Sequence, residues 1–174
     1  MAQSWSSMRK VLEQENICHS LKGRIQYFAT CYRKSGDEEG RVAIRLDGKE
    51  IFKSCFYDWE RKRQKVLSTI VIPNVKDLSW REYWDIVHTE TRNYGGFEQR
   101  FFYVAFYYYQ NHSIKECLNY KDPIVKLLAI LDKRVGKRTL HEILKNFHKE
   151  PKWLQVFYKL RLEADGIVNY EVRS

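Results

Sequence analysis

Apolar and polar positions alternate most cleanly at residues 41–46, where Val42, Ile44 and Leu46 take one side and Arg41 and Arg45 the other. A period of two marks a β-strand with one buried face. Asp47-Gly48 follows at once, and a type I′ turn needs φ > 0 at both central residues, which Asp-Gly accepts. The turn predicts that Leu46 faces Lys49, Arg45 faces Glu50 and Ile44 faces Ile51, a register with which the opposite charges and the β-branched pair agree. Upstream, residues 24–33 read as a strand, with Ile25, Tyr27, Ala29 and Cys31 on one face and Phe28 and Tyr32 on the other. The polar run 35–40 connects the two, so a three-stranded antiparallel meander is expected near the N-terminus.

Elsewhere the period is helical. Ser4 or Ser6 can cap a first helix with Trp5, Met8, Val11 and Leu12 on one stripe, and Gly23 closes that segment. Residues 57–70 place Trp59, Val66, Leu67 and Ile70 on one face. Pro73-Asn74 breaks the chain, and the capping box Ser79-x-x-Glu82 opens a helix to about Thr91. Tyr94-Gly95-Gly96-Phe97 is a connector. Residues 98–111 carry Phe101, Phe102, Tyr103, Phe106, Tyr107, Tyr108 and Tyr109. Aromatics so nearly all round a helix belong at the centre of a helical half; a base-stacking platform is the alternative.

The C-terminal third repeats its punctuation. Ser113-x-x-Glu116 leads to Asp122-Pro123, and Thr139-x-x-Glu142 leads to Glu150-Pro151. Each pair is expected to give a capped helix, then an apolar helix opened by an acid and a proline, with Gly136 and Gly166 closing the units. Asp122-Pro123-x-Val125-Lys126-x-x-Ala129 resembles HEAT-like repeats, which implies two HEAT-like helical hairpins rather than a solenoid. The expected fold is therefore α+β: one domain over residues 1–174, with the sheet and its flanking helices in 1–72 and a helical subdomain in 79–166.

Composition narrows the class. With 174 residues, 44% of them hydrophobic, the chain can fill one substantial core. No apolar run approaches a membrane span and the first ten residues have no secretory pattern, so a cytoplasmic protein with no membrane contact is expected. Cys18, Cys31, Cys55 and Cys117 form no CxxC pair and read as buried free thiols rather than a metal site. No cofactor motif is present: there is no phosphate loop, dinucleotide fingerprint, GxSxG or HExxH. The nearest catalytic candidates are Cys18-His19, His88 with Glu90, His141 with His148, Asp58 with Glu60, and the acids 37–39. None has the spacing or environment that acid–base or nucleophilic work requires.

The formal charge is +9. Residues 121–162 hold eleven Lys/Arg against four Asp/Glu, a net +7. Its densest part is Lys133, Arg134, Lys137 and Arg138 around Gly136. Lys133 and Arg134 suit a helix C-terminus, whereas Lys137 and Arg138 precede a helix N-terminus, where cations are unfavourable. These four are the candidate binding residues. Arg61, Lys62, Arg63 and Lys65 form a secondary basic patch that also reads as an ordinary solvated helix face.

Ser20-Leu21-Lys22-Gly23-Arg24, Asp47-Gly48-Lys49-Glu50-Ile51 and the run from Leu131 through Arg138 are similar to a functionally unassigned family of small bacterial proteins. That resemblance implies a bacterial cytoplasmic protein and carries over no activity, cofactor or site residue. The expected function is non-enzymatic binding of a macromolecule with an acidic surface, first a protein (an immunity or antitoxin-like role fits), then nucleic acid through phosphate contacts. An enzyme assembled from distant residues is the third reading. Salt dependence separates the first two.

Overall fold

A computed structural model describes residues 4–31 and 40–167. Tyr32, Arg33 and the run 35–39 lie outside the described residues. Helix α1 (Trp5–Lys10) starts at Ser4, whose Oγ accepts the Ser7 amide at 3.3 Å. A π-turn over Val11–Glu15 continues it, and Ile17 just beyond makes an antiparallel bridge with Asp132.

Strands β1 (Ile25–Cys31), β2 (Gly40–Leu46) and β3 (Lys49–Cys55) pair antiparallel in sequence order, giving the expected meander. Asp47 and Gly48 have φ of 50° and 81°, the signs a type I′ turn requires. Leu46 faces Lys49 and Arg45 faces Glu50 as expected, but Ile44 faces Phe52, not Ile51. One extra residue enters β3 at this point, a β-bulge. The bulge turns Phe52 to the side of Ile44, where it stacks on Phe97 with ring centres 5.0 Å apart and meets Trp153 at 4.7 Å. Burying an aromatic ring outweighs the strict alternation that a β-branched pair would have preserved.

Among the described residues, six helices of eight residues or more follow the sheet: α2 (Phe56–Thr69), α3 (Trp80–Asn93) and α4 (Gln99–Asn111), then after the five-residue α5 (Ile114–Leu118) come α6 (Pro123–Ile130), α7 (Lys137–Leu144) and α8 (Lys152–Ala164). The arrangement is α+β. One hydrophobic cluster draws Met8 and Leu12 from the first helix, Tyr27 and Ile44 from the sheet, and Phe102, Phe106, Leu128 and Phe157 from the helices. Helix α4 buries Phe102, Ala105, Phe106 and Tyr109 and leaves Val104 at 62% exposure, so it is not buried on every side. On α2 only Trp59 and Val66 of the predicted face are buried; Leu67 and Ile70 are half-buried.

The helix caps follow the expected punctuation only in part. Ser79/Glu82 and Ser113/Glu116 both close as reciprocal capping boxes. Thr139 does not cap: α7 begins two residues earlier, with Gly136 at its N-cap. Gly136 thus opens a helix, whereas Gly166, with φ of 70°, closes one. Asp122 accepts the Ile124 amide at 2.9 Å ahead of Pro123, but Glu150 caps nothing and Pro151 is itself the N-cap of α8. Glu150 turns instead to the Lys126 ammonium at 2.7 Å. The longer Glu side chain reaches a cross-helix cation, where the shorter Asp closes on its own backbone.

Candidate functional site

Helix α6 ends at Ile130, and the residues joining it to α7 are fixed from three directions. Asp132 is 1% exposed. It accepts the Arg134 amide at 2.7 Å, the Arg134 guanidinium at 2.7–3.1 Å and the Tyr109 hydroxyl. The Tyr109 hydroxyl in turn accepts from the Asn16 amide side chain at 3.1 Å. Burial, followed by the Asp132 charge, raises the Tyr109 phenol well above its ordinary value, so it stays a donor. Hydrogen bonds donated to Asp132 likewise strengthen the protonated state of Arg134, whose guanidinium lies 5.5 Å above the Tyr109 ring.

From the other side comes Arg161 of α8, only 2% exposed. Its guanidinium donates to the carbonyls of Ile130, Asp132 and Val135 at 2.7–2.8 Å, and its Nε meets Asp165 at 2.8 Å. A planar five-donor fork suits that set of converging acceptors. The third support is backbone: Cys18 N–H donates to Leu131 O at 2.9 Å, and Lys133 N–H to Asn16 O at 2.7 Å. The exit from α6 is thus pinned by the N-terminal segment, α4 and α8.

Of the four cations singled out from the sequence, Arg134 belongs to this internal scaffold. Lys133 and Lys137 are exposed and make no ion pair among the described residues. Arg138 is exposed over 95% of its side chain, 3.5 Å from Glu142. Helix α7 opens on Lys137 and Arg138 with no side-chain cap and no acid in its first turn. Its positive end therefore has no internal compensation.

Arg138 also stands on the rim of a groove of about 590 Å³ between α5 and α7. Ile114, Leu118, Ile143 and Phe147 line its sides and Tyr158 its floor. The sequence shows these residues only as i,i+4 apolar pairs on two helices, and which pairs stay open to solvent is decided by tertiary packing. A second open apolar feature is the connector between α2 and α3, where Val71, Val75 and Trp80 are 88%, 46% and 77% exposed. Its signal was the apolar run Ile70-Val71-Ile72 beside the Pro73-Asn74 break, where no helix face could absorb it.

The secondary patch has a different character. Arg61 and Lys62 both pair with Asp58 at 2.6 Å, and Arg63 pairs with Glu60 at 2.6 Å. Lys62 also donates to the Gly95 carbonyl at 3.1 Å, tying α2 to the Tyr94–Phe97 connector. Arg63 lies over the rings of Trp59 and Trp84, and Lys65 sits 5.8 Å from the Tyr94 ring centre. These contacts also engage Asp58 and Glu60. His141 and His148 are exposed, and Cys18 and Cys117 are buried free thiols, whereas Cys55 is half-buried. Among the described residues no three His, Cys, Asp or Glu side chains come together as a metal-binding group, and no helix is long and apolar enough to cross a membrane.

Fold and site define an α+β protein with a rigidly held basic corner beside an apolar groove. The chain belongs to the SF0329 protein family, whose model matches residues 4–162. That description names no activity, in keeping with the resemblance to a functionally unassigned family. No curated protein and no solved structure matches the chain.

Proposed function

We propose that this is a non-enzymatic binding protein that docks an acidic face of another protein on Lys133, Lys137 and Arg138, in the bacterial cytoplasm. The observation that carries the reading is the pinned exit from α6. Buried Asp132 and Arg161 hold its backbone in place, while its outward cations have little or no internal pairing. A loop ordered before contact loses less conformational freedom on binding, which favours affinity. Its charges steer an acidic partner and set the approach rate. Arg134 leaves the binding set, because its guanidinium is already engaged by Asp132.

A protein is favoured over nucleic acid because Arg138 borders an apolar groove, which a phosphate backbone cannot fill. Helical pairs of HEAT type serve as docking surfaces, and we read α5–α6 and α7–α8 in that way. The free thiols support a reducing compartment.

The test is affinity capture from the native cytosol by wild type and by a Lys133→Glu/Lys137→Glu variant, with salt-graded elution. A protein retained by wild type and lost to the variant, with association slowed by salt, is the expected result. Equal capture by both, or retention of nucleic acid alone, would contradict the proposal.

A further inference from the structure

The groove between α5 and α7 holds a feature that the docking reading does not use. Tyr158 on its floor is 3% exposed, and its hydroxyl makes no hydrogen bond among the described residues. That hydroxyl is not among the sealed, unpartnered polar atoms of the interior, and Tyr158 is one of the residues lining the groove. A phenol buried without a partner is costly unless something else supplies one. Burial, then the charge of Glu150, raises its pKa, which keeps it neutral and able both to donate and to accept.

Charge around the groove is also informative. Its lining carries Lys115 and Arg138 against Glu142 and Glu150. Lys126 neutralises Glu150 through both carboxylate oxygens, at 2.7 and 2.9 Å. Glu142 has only the loose 3.5 Å contact with Arg138. One positive charge is left over at the mouth. Apolar sides, a neutral hydroxyl at the floor and a surplus cation at the rim form the pattern of a small-ligand site, and about 590 Å³ is within the usual size.

We propose that this groove binds a small apolar monocarboxylate bearing a second, neutral polar group. The body lies along Ile114, Leu118, Ile143 and Phe147, the carboxylate faces Lys115 and Arg138, and the neutral group meets the Tyr158 hydroxyl. The proposal does not depend on the docking reading, although the two share Arg138 and the groove it borders.

Three probes test it by amide chemical shifts of the intact protein: 3-(4-hydroxyphenyl)propionate, 3-phenylpropionate and 3-(4-hydroxyphenyl)propionamide. The hydroxyphenyl acid should shift residues 143, 147 and 158 saturably, and bind about five- to tenfold tighter than either analogue, since each analogue leaves one polar partner unmatched. Tyr158→Phe should abolish the preference for the hydroxyl and keep the preference for acid over amide. Lys115→Ala/Arg138→Ala should do the reverse. The Lys133→Glu/Lys137→Glu variant should bind the acid like wild type, so loss of the protein partner and loss of this ligand are separately visible. Equal binding of all three probes, or no saturable shift up to about 10 mM, well beyond a useful affinity, would overturn the proposal.

Discussion

Arg161 shows how one residue can be charged, buried and structural at once. In the sequence it is one cation among eleven between residues 121 and 162, and nothing in its spacing separates it from Lys159 or Lys152. Only packing does so: α8 carries it under the end of α6, where three backbone carbonyls converge on its guanidinium. The same holds for Asp132 and Arg134, which the sequence presents only as neighbours in a charged run but the fold closes on each other, the Arg134 guanidinium and amide donating to the buried Asp132 carboxylate. Arg161→Ala should therefore destabilise the protein by about 3–5 kcal/mol, since buried acceptors lose their donors and Asp165 loses its cation. Urea unfolding measures this. A loss below about 1 kcal/mol, the range of an ordinary surface substitution, would mean that water replaces the guanidinium and the α6 exit does not depend on it. Arg161→Lys should recover only part of the loss, because an ammonium cannot span three carbonyls.

Helix α5 and helix α7 show what sequence punctuation does and does not determine at the scale of an element. Ser113-x-x-Glu116 and Thr139-x-x-Glu142 look alike on paper, yet only the first closes a capping box. At the second, Gly136 takes the N-cap position three residues sooner, and Thr139 falls inside the helix. Ser113→Ala should cost about 1 kcal/mol and Thr139→Ala less than about 0.5 kcal/mol, because only one hydroxyl caps an amide. Equal losses by thermal or urea unfolding would contradict the assignment of the caps. The hairpin repeats the lesson. Asp47-Gly48 announced the turn and the first two cross-strand pairs, because those depend on local φ and charge. The bulge at Ile51 was not legible, because its cause is Phe97 and Trp153, more than forty residues away. Capping boxes and the turn are local, and so they were readable; the groove and the pinned exit depend on which helices meet, and so they were not.

Across the whole molecule, the net charge of +9 resolves into two populations. Some cations are held by acids or aromatic rings, as along α2. Others project with little or no pairing among the described residues, as at the start of α7, where Arg138 has only its 3.5 Å contact with Glu142. The four-residue patch that the sequence suggested becomes three outward cations on a backbone fixed from within. The functional account stands on that rigid corner meeting another protein. The most direct measurement is in-cell photo-crosslinking from a benzophenone side chain placed at position 133 or 137, with position 53 on the exposed face of β3 as the control. The account predicts one discrete protein crosslink from 133 and 137, absent from 53 and lost when Arg138→Glu is added to the 137 probe. Crosslinks to nucleic acid, or an identical set of products from all three positions, would contradict it.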